Sequence, residues 1–255
     1  MNEIELYLLD MDGTVYVENR LIDGAKEKIE EIVKKGKKFC FLTNNSSRDK
    51  NEYISKLSKL DININTDQIY TSGDSAIRYL KKYEPNKSVY LLGTQKLQKQ
   101  FCESGITLTQ TKPDIVLVAY DTELTYEKLA KAVTFIAQGA KYMVTHADIN
   151  CPASPVYVPD VGSLIALIEK SCGKLPELNC GKPYAVMAEA VAEKFGLTPN
   201  QIAMVGDRLY TDMMFAINNS FCSVLVLSGE TTLTDYENSD MKIDHILNSI
   251  KDLEI

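Results

Sequence analysis

The sequence predicts an α/β protein built on a doubly wound parallel sheet, with a second α/β domain inserted into it. Short apolar runs alternate with helical patterns along most of the chain, which is typical of parallel strands joined by right-handed helical crossovers. A second alternating series occupies the middle, and strand-like runs of the first kind resume near the C-terminus. The 255 residues can bury a sizeable core, in one large domain or two smaller ones.

The first elements follow in order from the N-terminus. IELYLL predicts a strand, and GAKEKIEEIVKKG predicts a helix because Ile29, Ile32 and Val33 recur at helical spacing before Gly36. KKFCFLT predicts the next strand, and SRDKNEYISKLSKL predicts the next helix. QIYTSGDSAIRYLKKY then predicts a short strand, a turn with an N-capping serine or aspartate, and a third helix.

The middle of the chain, from about Tyr83 to Leu178, has elements enough for a core of its own. KSVYLLGT, KPDIVLVAY and KYMVTH predict strands, and TYEKLAKAVTFIAQG and GSLIALIEKSCG predict helices. Pro85-Asn86 and GKLPELNCGKP are typical of segments that connect domains. NQIAMVGD and FCSVLVLSG then resume the first sheet. We therefore predict one domain at residues 1–80 and 180–255 and an inserted domain at residues 81–179.

Composition limits the classes of partner and the compartment. The net charge of −7 and the lack of a basic cluster argue against nucleic acid and anionic membranes as partners. Six scattered cysteines without CxxC spacing, with two histidines, argue against zinc and favour reduced thiols in a cytosolic protein. The acidic N-terminus lacks a long apolar run, and no run approaches the ~20 residues of a membrane span. We expect a soluble cytoplasmic protein.

Polar residues follow three of the predicted strands, where ligands bind in doubly wound sheets. These residues are Asp10 and Asp12 after LYLL, Thr43 with Asn44 and Asn45 after KKFCFL, and Asp207 with Asp212 in IAMVGDRLYTD. Lys182, in NCGKPYAVMAEAVAEKFG, adds a fourth position at a helix start. The four positions together predict one ligand site.

Converging carboxylates are costly unless a cation neutralises them, and ligand sets made only of oxygen suit Mg²⁺. Lys182 would offset the charge of Asp10 and of phosphoryl oxygens. The Thr43 hydroxyl could donate to a phosphate, and the amides after it could bind another oxygen. Gly13 and Gly206 are expected to permit the turns that follow their strands.

Each motif taken alone also fits an ordinary structural role. An Asp-x-Asp pair opens calcium loops as well, but the sixth and twelfth positions hold Val15 and Leu21 instead of glycine and glutamate. Thr43 could be a strand-end residue, Lys182 a solvated lysine, and GDRLYTD a turn with an N-cap. The ordered combination of all four motifs is much more specific than any one of them.

That combination resembles a known family. DMDGT, FLTNNSS, GKP and GDRLYTD resemble the four ordered motifs of the haloacid dehalogenase-like (HAD) superfamily. The insertion between the threonine and lysine motifs is similar to the second cap type (type IIA), and the pairing of TNN with GKP is most similar to the NagD and p-nitrophenyl phosphatase branch. The resemblance spans the whole chain. It implies a Rossmann-like catalytic core, residues 1–80 and 180–255, and a cap that determines substrate specificity, residues 81–179.

The resemblance implies a Mg²⁺-dependent phosphatase that works through an aspartyl-phosphate. By this resemblance, Asp10 is the nucleophile and Asp12 is the general acid/base. The implied Mg²⁺ ligands are Asp10, Asp207 and the backbone carbonyl of Asp12, and Asp212 is implied to support Lys182 or a metal-bound water. The implied phosphate or substrate contacts are Thr43, Lys182, Gly13, Asn44 and Asn45. Dehalogenase members of the superfamily lack the second aspartate and the metal. The presence of Asp12 therefore favours phosphoryl chemistry.

Two loops of the inserted domain are expected to face the active site and select the leaving group. VTHADINCP lies where relatives carry Thr-Asn-Pro-Asp, so Thr145 and Asp148 match whereas His146 and Ala147 depart. PDVGSL is similar to a Gly-x-Gly-Ser loop, with Asp160 at the first glycine. His146 and Asp148 are therefore candidate substrate-binding residues, with a partly buried structural histidine as the alternative for His146.

The expected substrates are small phosphomonoesters: sugar phosphates, phosphoglycolate-like acids, nucleotide monophosphates and p-nitrophenyl phosphate. One alternative is a phosphotransferase or mutase that uses the same aspartyl-phosphate. Phosphomutase relatives usually carry a helical cap after the first motif, for which the segment between Thr14 and Thr43 leaves no room. A second alternative is a non-catalytic protein that binds phosphorylated metabolites. The physiological substrate and the oligomeric state stay open, with a homodimer through the cap as the assembly to test.

Overall fold

The computed structural model describes residues 3–153 and 156–255. Contacts between residues divide the chain into two compact units. The first unit contains the chain up to Thr43, Lys50–Tyr70 and Lys182–Ile255, and the second contains Asn44–Asp49 and Thr71–Gly181. Strands and helices alternate in both units, so the predicted α/β fold class is confirmed.

The strands, in chain order, are β1 (Leu6–Leu9), β2 (Tyr16–Val17), β3 (Arg20–Leu21), β4 (Lys38–Thr43), β5 (Ile69–Thr71), β6 (Val89–Leu92), β7 (Ile115–Val118), β8 (Lys141–Val144), β9 (Asn150–Ala153), β10 (Val156–Pro159), β11 (Leu178–Asn179), β12 (Ile202–Gly206), β13 (Cys222–Val226) and β14 (His245–Leu247).

The α-helices are α1 (Ala25–Lys34), α2 (Lys50–Lys59), α3 (Ser72–Tyr83), α4 (Gln95–Glu103), α5 (Tyr126–Ala137), α6 (Val161–Cys172), α7 (Ala185–Phe195), α8 (Met214–Asn218) and α9 (Leu233–Glu237). A π-helical turn over Leu209–Met213 leads into α8. Among the residues described, no helix combines the length and the apolar character that crossing a membrane requires.

The sheet of the first unit has the strand order β14-β13-β12-β1-β4-β5. β1 lies at its centre and pairs in parallel with β12 on one side and β4 on the other. In this register Leu9 lies opposite both Val205 and Phe41, so the three strands finish at the same edge. The polar residues that follow these strands are therefore brought to one edge of the sheet.

Both faces of this sheet are covered, so β1 is buried along its whole length. Tyr7 and Leu9 belong to a core cluster that includes Ile32 of α1. Leu8 belongs to a second cluster that includes Met187 of α7. The alternation of side chains along the strand sends neighbouring residues into opposite layers, which explains why LYLL is apolar without a break.

Two local expectations need correction. Val33 does not belong to the apolar face of α1: its side chain is exposed whereas Ile32 is fully buried, because consecutive helical residues point in directions about 100° apart. The residue that caps α3 is Thr71, and not a serine or aspartate after a turn. Thr71 Oγ1 accepts from the amide of Asp74, and Asp74 accepts from the amide of Thr71, so the helix begins directly after β5.

The second unit has its own four-stranded sheet, in the order β11-β8-β7-β6, with parallel pairing throughout. Its core contains Tyr90, Val116 and Tyr142 from the sheet together with Ile136 of α5 and Ile168 of α6. An antiparallel pair, β9 and β10, is added to this unit. The strands and helices that the sequence predicts for this region are present as β6, β7, β8, α5 and α6.

The second unit begins earlier than residue 81, at Thr71, and also includes Asn44–Asp49. Side chains of α3 explain this boundary. Ser72 Oγ donates to the carbonyl of Asn44, and Ser75 Oγ lies 2.6 Å from the carbonyl oxygen of Cys180. These buried hydrogen bonds attach α3 to the segments at both ends of the inserted region. The assignment of the units as catalytic core and specificity cap stays a prediction.

The adjacent pair Ile32 and Val33 allows a matched test of the packing around α1. We expect Ile32→Ala to lower the free energy of unfolding by about 2–5 kcal/mol, because it leaves a cavity in a closed core. Val33→Ala should change it by no more than about 0.5 kcal/mol. Urea denaturation followed by circular dichroism measures both. Equal losses for the two variants would contradict the burial that separates them.

Candidate active site

The edge of the first sheet carries the residues that the sequence singled out in this unit. Asp10 directly follows β1, and its amide donates to the carbonyl of Val205 at 2.9 Å. Asp207 directly follows β12, and Thr43 is the last residue of β4. Because these three strands are neighbours in parallel register, the residues at their carboxyl ends share one edge.

Lys182 lies between two of the carboxylates. Its Nζ donates to Asp10 Oδ1 at 2.7 Å, to Asp212 Oδ1 at 2.6 Å and to the carbonyl oxygen of Leu42 at 3.2 Å. The side chain is nearly fully buried, and α7 begins only at Ala185. Lys182 is therefore not a solvated residue at a helix start: it is a buried cation bridging two acids.

Three acids converge here with one lysine. Ligand oxygens of Asp10, Asp207 and Asp212 all lie within 4.8 Å of one another. Burial, together with the neighbouring carboxylates, raises the pKa of Asp207. Burial also raises the pKa of Asp212, although Lys182 opposes that shift. Lys182 alone cannot neutralise all three carboxylates when they are ionised.

Asp207 shows how a cation fits this site. Its Oδ2 accepts a hydrogen bond from the amide of Glu230 at 2.7 Å. Its Oδ1 is buried and has no hydrogen-bond partner among the described residues. A buried carboxylate oxygen without a donor is costly, and a divalent cation satisfies such an oxygen. The cluster of acids could hold a divalent metal, and its oxygen-only donors are those that hard cations prefer.

Asp12 differs from the three converging acids. Gly13 turns the chain with a φ of 87°, which only glycine adopts readily. The Asp12 side chain is 56% exposed, with Lys56 Nζ 3.9 Å from Oδ1 and the Tyr16 hydroxyl 3.4 Å from Oδ2. Met11, between the two aspartates, is buried in the core. Asp12 therefore keeps a solvent-accessible carboxylate, while Asp10 is held by Lys182.

Gly206 does not provide the turn that the sequence predicted at this position. Its φ is not in the left-handed region, and it ends β12 as ordinary strand. An added Cβ at this position would instead collide with the Cβ and carboxylate of Asp212. The glycine is required because Asp212 packs directly against the backbone of the strand.

The remaining predicted residues lie in the second unit. Asn44 Nδ2 donates to both carboxylate oxygens of Asp148, at 3.1 and 3.2 Å. Asn45 Oδ1 accepts from the amide and hydroxyl of Ser47, at 2.9 and 2.8 Å, which holds a turn. Asn45 is thus engaged locally, whereas Asn44 fixes the orientation of Asp148.

His146 is fully buried, and not partly buried as the structural alternative supposed. Its Nδ1 lies 3.0 Å from Thr145 Oγ1 and its Nε2 lies 2.9 Å from Asp160 Oδ1. Asp160 is the N-cap of α6 and accepts from the amide of Val161. His146 and Asp160 both depart from the family pattern, and together they form a hydrogen-bonded pair. This pair connects the loop after β8 to the start of α6.

The loop that follows β13 contributes to the site although no predicted motif includes it. The amide of Glu230 binds Asp207, and Ser228 Oγ donates to the carbonyl of Gly13 at 2.8 Å. An added Cβ on Gly229 would collide with the Asp207 carboxylate. The signal is present in the sequence, because SGETT follows a strand end just as the recognised motifs do.

Comparisons with known proteins identify the family of this chain. A family model for haloacid dehalogenase-like hydrolases matches residues 7–107, and a second model, for HAD-hydrolase-like proteins, matches residues 179–253. An acid sugar phosphatase of Staphylococcus aureus is 32% identical over 254 residues, which cover 99% of this chain and 96% of that protein.

Solved structures give the same family. A 4-nitrophenylphosphatase from Thermotoga maritima has a TM-score of 0.95 and 40% identity, with 98% of this chain and 96% of that chain covered. NagD from Escherichia coli K-12 has a TM-score of 0.92 and 27% identity, with 98% of each chain covered. The chain belongs to the haloacid dehalogenase-like hydrolases, in the NagD and p-nitrophenyl phosphatase branch, and is an enzyme of the phosphoric monoester hydrolase class.

Replacing Lys182 tests the electrostatic balance of the site. We expect Lys182→Met in EDTA to lose about 3–5 kcal/mol of unfolding free energy at pH 8, because two acids lose their buried cation. Burial raises the pKa of Asp212 and Lys182 opposes that shift, so without the lysine the folded-state pKa of Asp212 rises further above the unfolded value. The loss should therefore grow as pH rises through that interval and be smaller at pH 5 than at pH 8.

Urea denaturation at both pH values measures the effect, and Lys182→Met combined with Asp212→Asn should recover part of the loss at pH 8. A loss that is the same at both pH values would show that packing, and not charge, explains the effect of Lys182.

Proposed function

We propose that this enzyme is a Mg²⁺-dependent phosphatase that hydrolyses small phosphorylated metabolites through an aspartyl-phosphate at Asp10. The observation that supports it best is the Lys182 bridge, which holds one carboxylate oxygen of Asp10 at 2.7 Å at the carboxyl end of β1. A carboxylate fixed in one orientation at this edge is suited to attack on phosphorus.

In the first step, an Asp10 oxygen forms a bond to phosphorus while the bond between phosphorus and the leaving alkoxide breaks. Asp12, as its carboxylic acid, gives its proton to the alkoxide. In the second step, the Asp12 carboxylate takes a proton from water as the water oxygen attacks phosphorus. The bond between phosphorus and Asp10 then breaks, inorganic phosphate leaves, and both carboxyl groups return to their starting states.

The positions of the two aspartates support this division of roles. Asp10 accepts from the buried ammonium of Lys182 at 2.7 Å, which holds one of its carboxylate oxygens in a fixed orientation. The Asp12 side chain is 56% exposed, with Lys56 Nζ 3.9 Å and the Tyr16 hydroxyl 3.4 Å from its carboxylate oxygens. A proton carrier needs such access, because it must exchange its proton with water in every cycle.

Asp10, Asp207 and the backbone carbonyl of Asp12 would hold Mg²⁺. When bound, the ion supplies the positive charge that offsets these carboxylates and the phosphoryl oxygens. Lys182 adds a second, permanent charge beside Asp10, and Asp212 keeps that lysine in place at 2.6 Å. The Thr43 hydroxyl and the amides near Gly13, Asn44 and Asn45 would donate to the phosphoryl oxygens.

The proposed substrates are sugar phosphates, phosphoglycolate-like acids, nucleotide monophosphates and p-nitrophenyl phosphate. The similarity to an acid sugar phosphatase and to a 4-nitrophenylphosphatase supports the sugar phosphates and p-nitrophenyl phosphate in this set. We infer that Asp148, oriented by Asn44, and His146, fixed by Asp160, contribute to the selection of the leaving group. Cytoplasmic localisation, the absence of nucleic-acid and membrane partners, and a homodimer through the cap stay predictions.

Hydrolysis of p-nitrophenyl phosphate tests the mechanism. Wild type should turn over with Mg²⁺ and lose its activity in EDTA, and Asp10→Asn should lose at least about 10³-fold because an amide does not attack phosphorus. Asp23→Asn, at a surface residue of the same unit, is the matched control and should keep wild-type activity. Acid-quenched wild type should retain phosphate from labelled substrate. Turnover without Mg²⁺, or an active Asp10→Asn enzyme, would refute the proposal.

A panel of phosphorylated metabolites tests the role of Asp148. We expect Asp148→Asn to change the order of kcat/KM values among substrates by about tenfold while the Mg²⁺ requirement stays the same. Asp114→Asn, a partly exposed acid in the same unit, serves as the control. Equal losses on every substrate would indicate a structural role for Asp148 instead of recognition.

A further inference from the structure

The two oxygens of Asp207 have different environments. Oδ2 accepts the amide of Glu230 at 2.7 Å, while Oδ1 is buried without a partner among the described residues. The amide of Thr231 also binds the Asp207 carbonyl at 3.2 Å. Residues 229–231 therefore hold both the backbone and the side chain of Asp207, and they determine which oxygen stays available.

Close packing leaves this carboxylate little freedom to rotate. An added Cβ on either Gly13 or Gly229 would collide with the Asp207 carboxylate, so both backbones lie directly against it. Ser228 Oγ joins the two segments through the carbonyl of Gly13, at 2.8 Å. The orientation of Asp207 thus depends on the position of the loop after β13.

The side chain of Glu230 anchors that loop. Its Oε2 lies 3.0 Å from Arg208 Nε, and its Oε1 accepts from the Tyr210 hydroxyl at 2.7 Å. We call these three residues, Arg208, Tyr210 and Glu230, the loop clamp. Arg208 directly follows Asp207, so the clamp connects the loop after β13 to the chain segment that carries Asp207.

We propose that Glu230 is a positioning residue for the divalent cation. Through the loop clamp it keeps its own amide on Asp207 Oδ2, so that Oδ1 is the oxygen presented for the cation. Neither Glu230 nor Tyr210 touches the substrate or the metal in this scheme. The inference rests on the proposed function, in which Asp207 is a Mg²⁺ ligand, and it adds residues that set the affinity for the ion.

Isothermal titration calorimetry with Mg²⁺ alone tests the effect on affinity. Glu230→Ala keeps the backbone amide but removes the anchor, and we expect its dissociation constant to rise about tenfold, as for other residues that orient metal ligands. Tyr210→Phe removes one hydrogen bond and should raise the constant about threefold. In turnover assays Glu230→Ala should need more Mg²⁺ for half-maximal rate, while kcat at saturating Mg²⁺ stays close to wild type.

Glu5→Ala is the matched control. Glu5 pairs with Lys37 at 2.7 Å in the same unit, and the exposed fractions of that pair, 42% and 20%, are close to the 36% and 17% of Glu230 and Arg208. It should bind Mg²⁺ as wild type does. Melting temperatures in EDTA show whether Glu230→Ala weakens Mg²⁺ binding through a general loss of stability. We expect them to fall equally for Glu5→Ala and Glu230→Ala, so that the position of Glu230 explains its lower affinity for Mg²⁺.

Hydrogen exchange without metal separates this inference from the proposed function. The amides of residues 229–231 should exchange faster in Tyr210→Phe than in wild type. Unchanged exchange, or a Glu230→Ala protein with wild-type Mg²⁺ affinity, would overturn the loop clamp while leaving the metal site intact. Asp207→Asn that still binds Mg²⁺ as wild type does would overturn the proposed site, and the inference with it.

Discussion

The buried ammonium of Lys182 between Asp10 and Asp212 is the interaction on which the rest of the site depends. Removing two carboxylates from water is costly, and the bridge makes this burial tolerable by satisfying one oxygen of each. Compared with apolar residues of similar volume, a complete buried ion pair of this kind contributes little to stability, although removing only one partner is costly. Its value is geometric, because it fixes the orientation of the Asp10 carboxylate at the end of the central strand.

Glycine is the second constraint, since carboxylates can converge only where the surrounding backbone leaves them space. Gly206 allows Asp212 to pack against β12, while Gly13 and Gly229 lie against Asp207. A methyl group at any of these positions would displace an acid from the site. Small residues and charged residues are therefore coupled here: close backbone packing holds the acids in place, and Lys182 makes their proximity possible.

Much of the fold and of the candidate site was predictable from the sequence, because strands and the polar residues that follow them are visible in short local patterns. Apolar runs such as LYLL predict buried strands, and the parallel-sheet rule brings Asp10, Thr43 and Asp207 to one edge. The burial of Lys182 was less visible, since a lysine before a helix is ordinarily solvated. The position of Val33, the boundary at Thr71 and the role of Gly206 depend on which neighbour packs against each residue, and sequence spacing does not specify such contacts.

Sequence spacing also does not reveal the contacts of Glu230. Glu230 lies in no recognised motif, and its side chain is partly exposed. Its amide nevertheless donates to the buried Asp207, and its carboxylate contacts Arg208 and Tyr210. Only the three-dimensional arrangement connects these facts, because Glu230 is close to Asp207 through the pairing of β12 with β13 and not through sequence. Where a backbone amide does the positioning, the side chain that anchors that amide determines the geometry without touching the ligand.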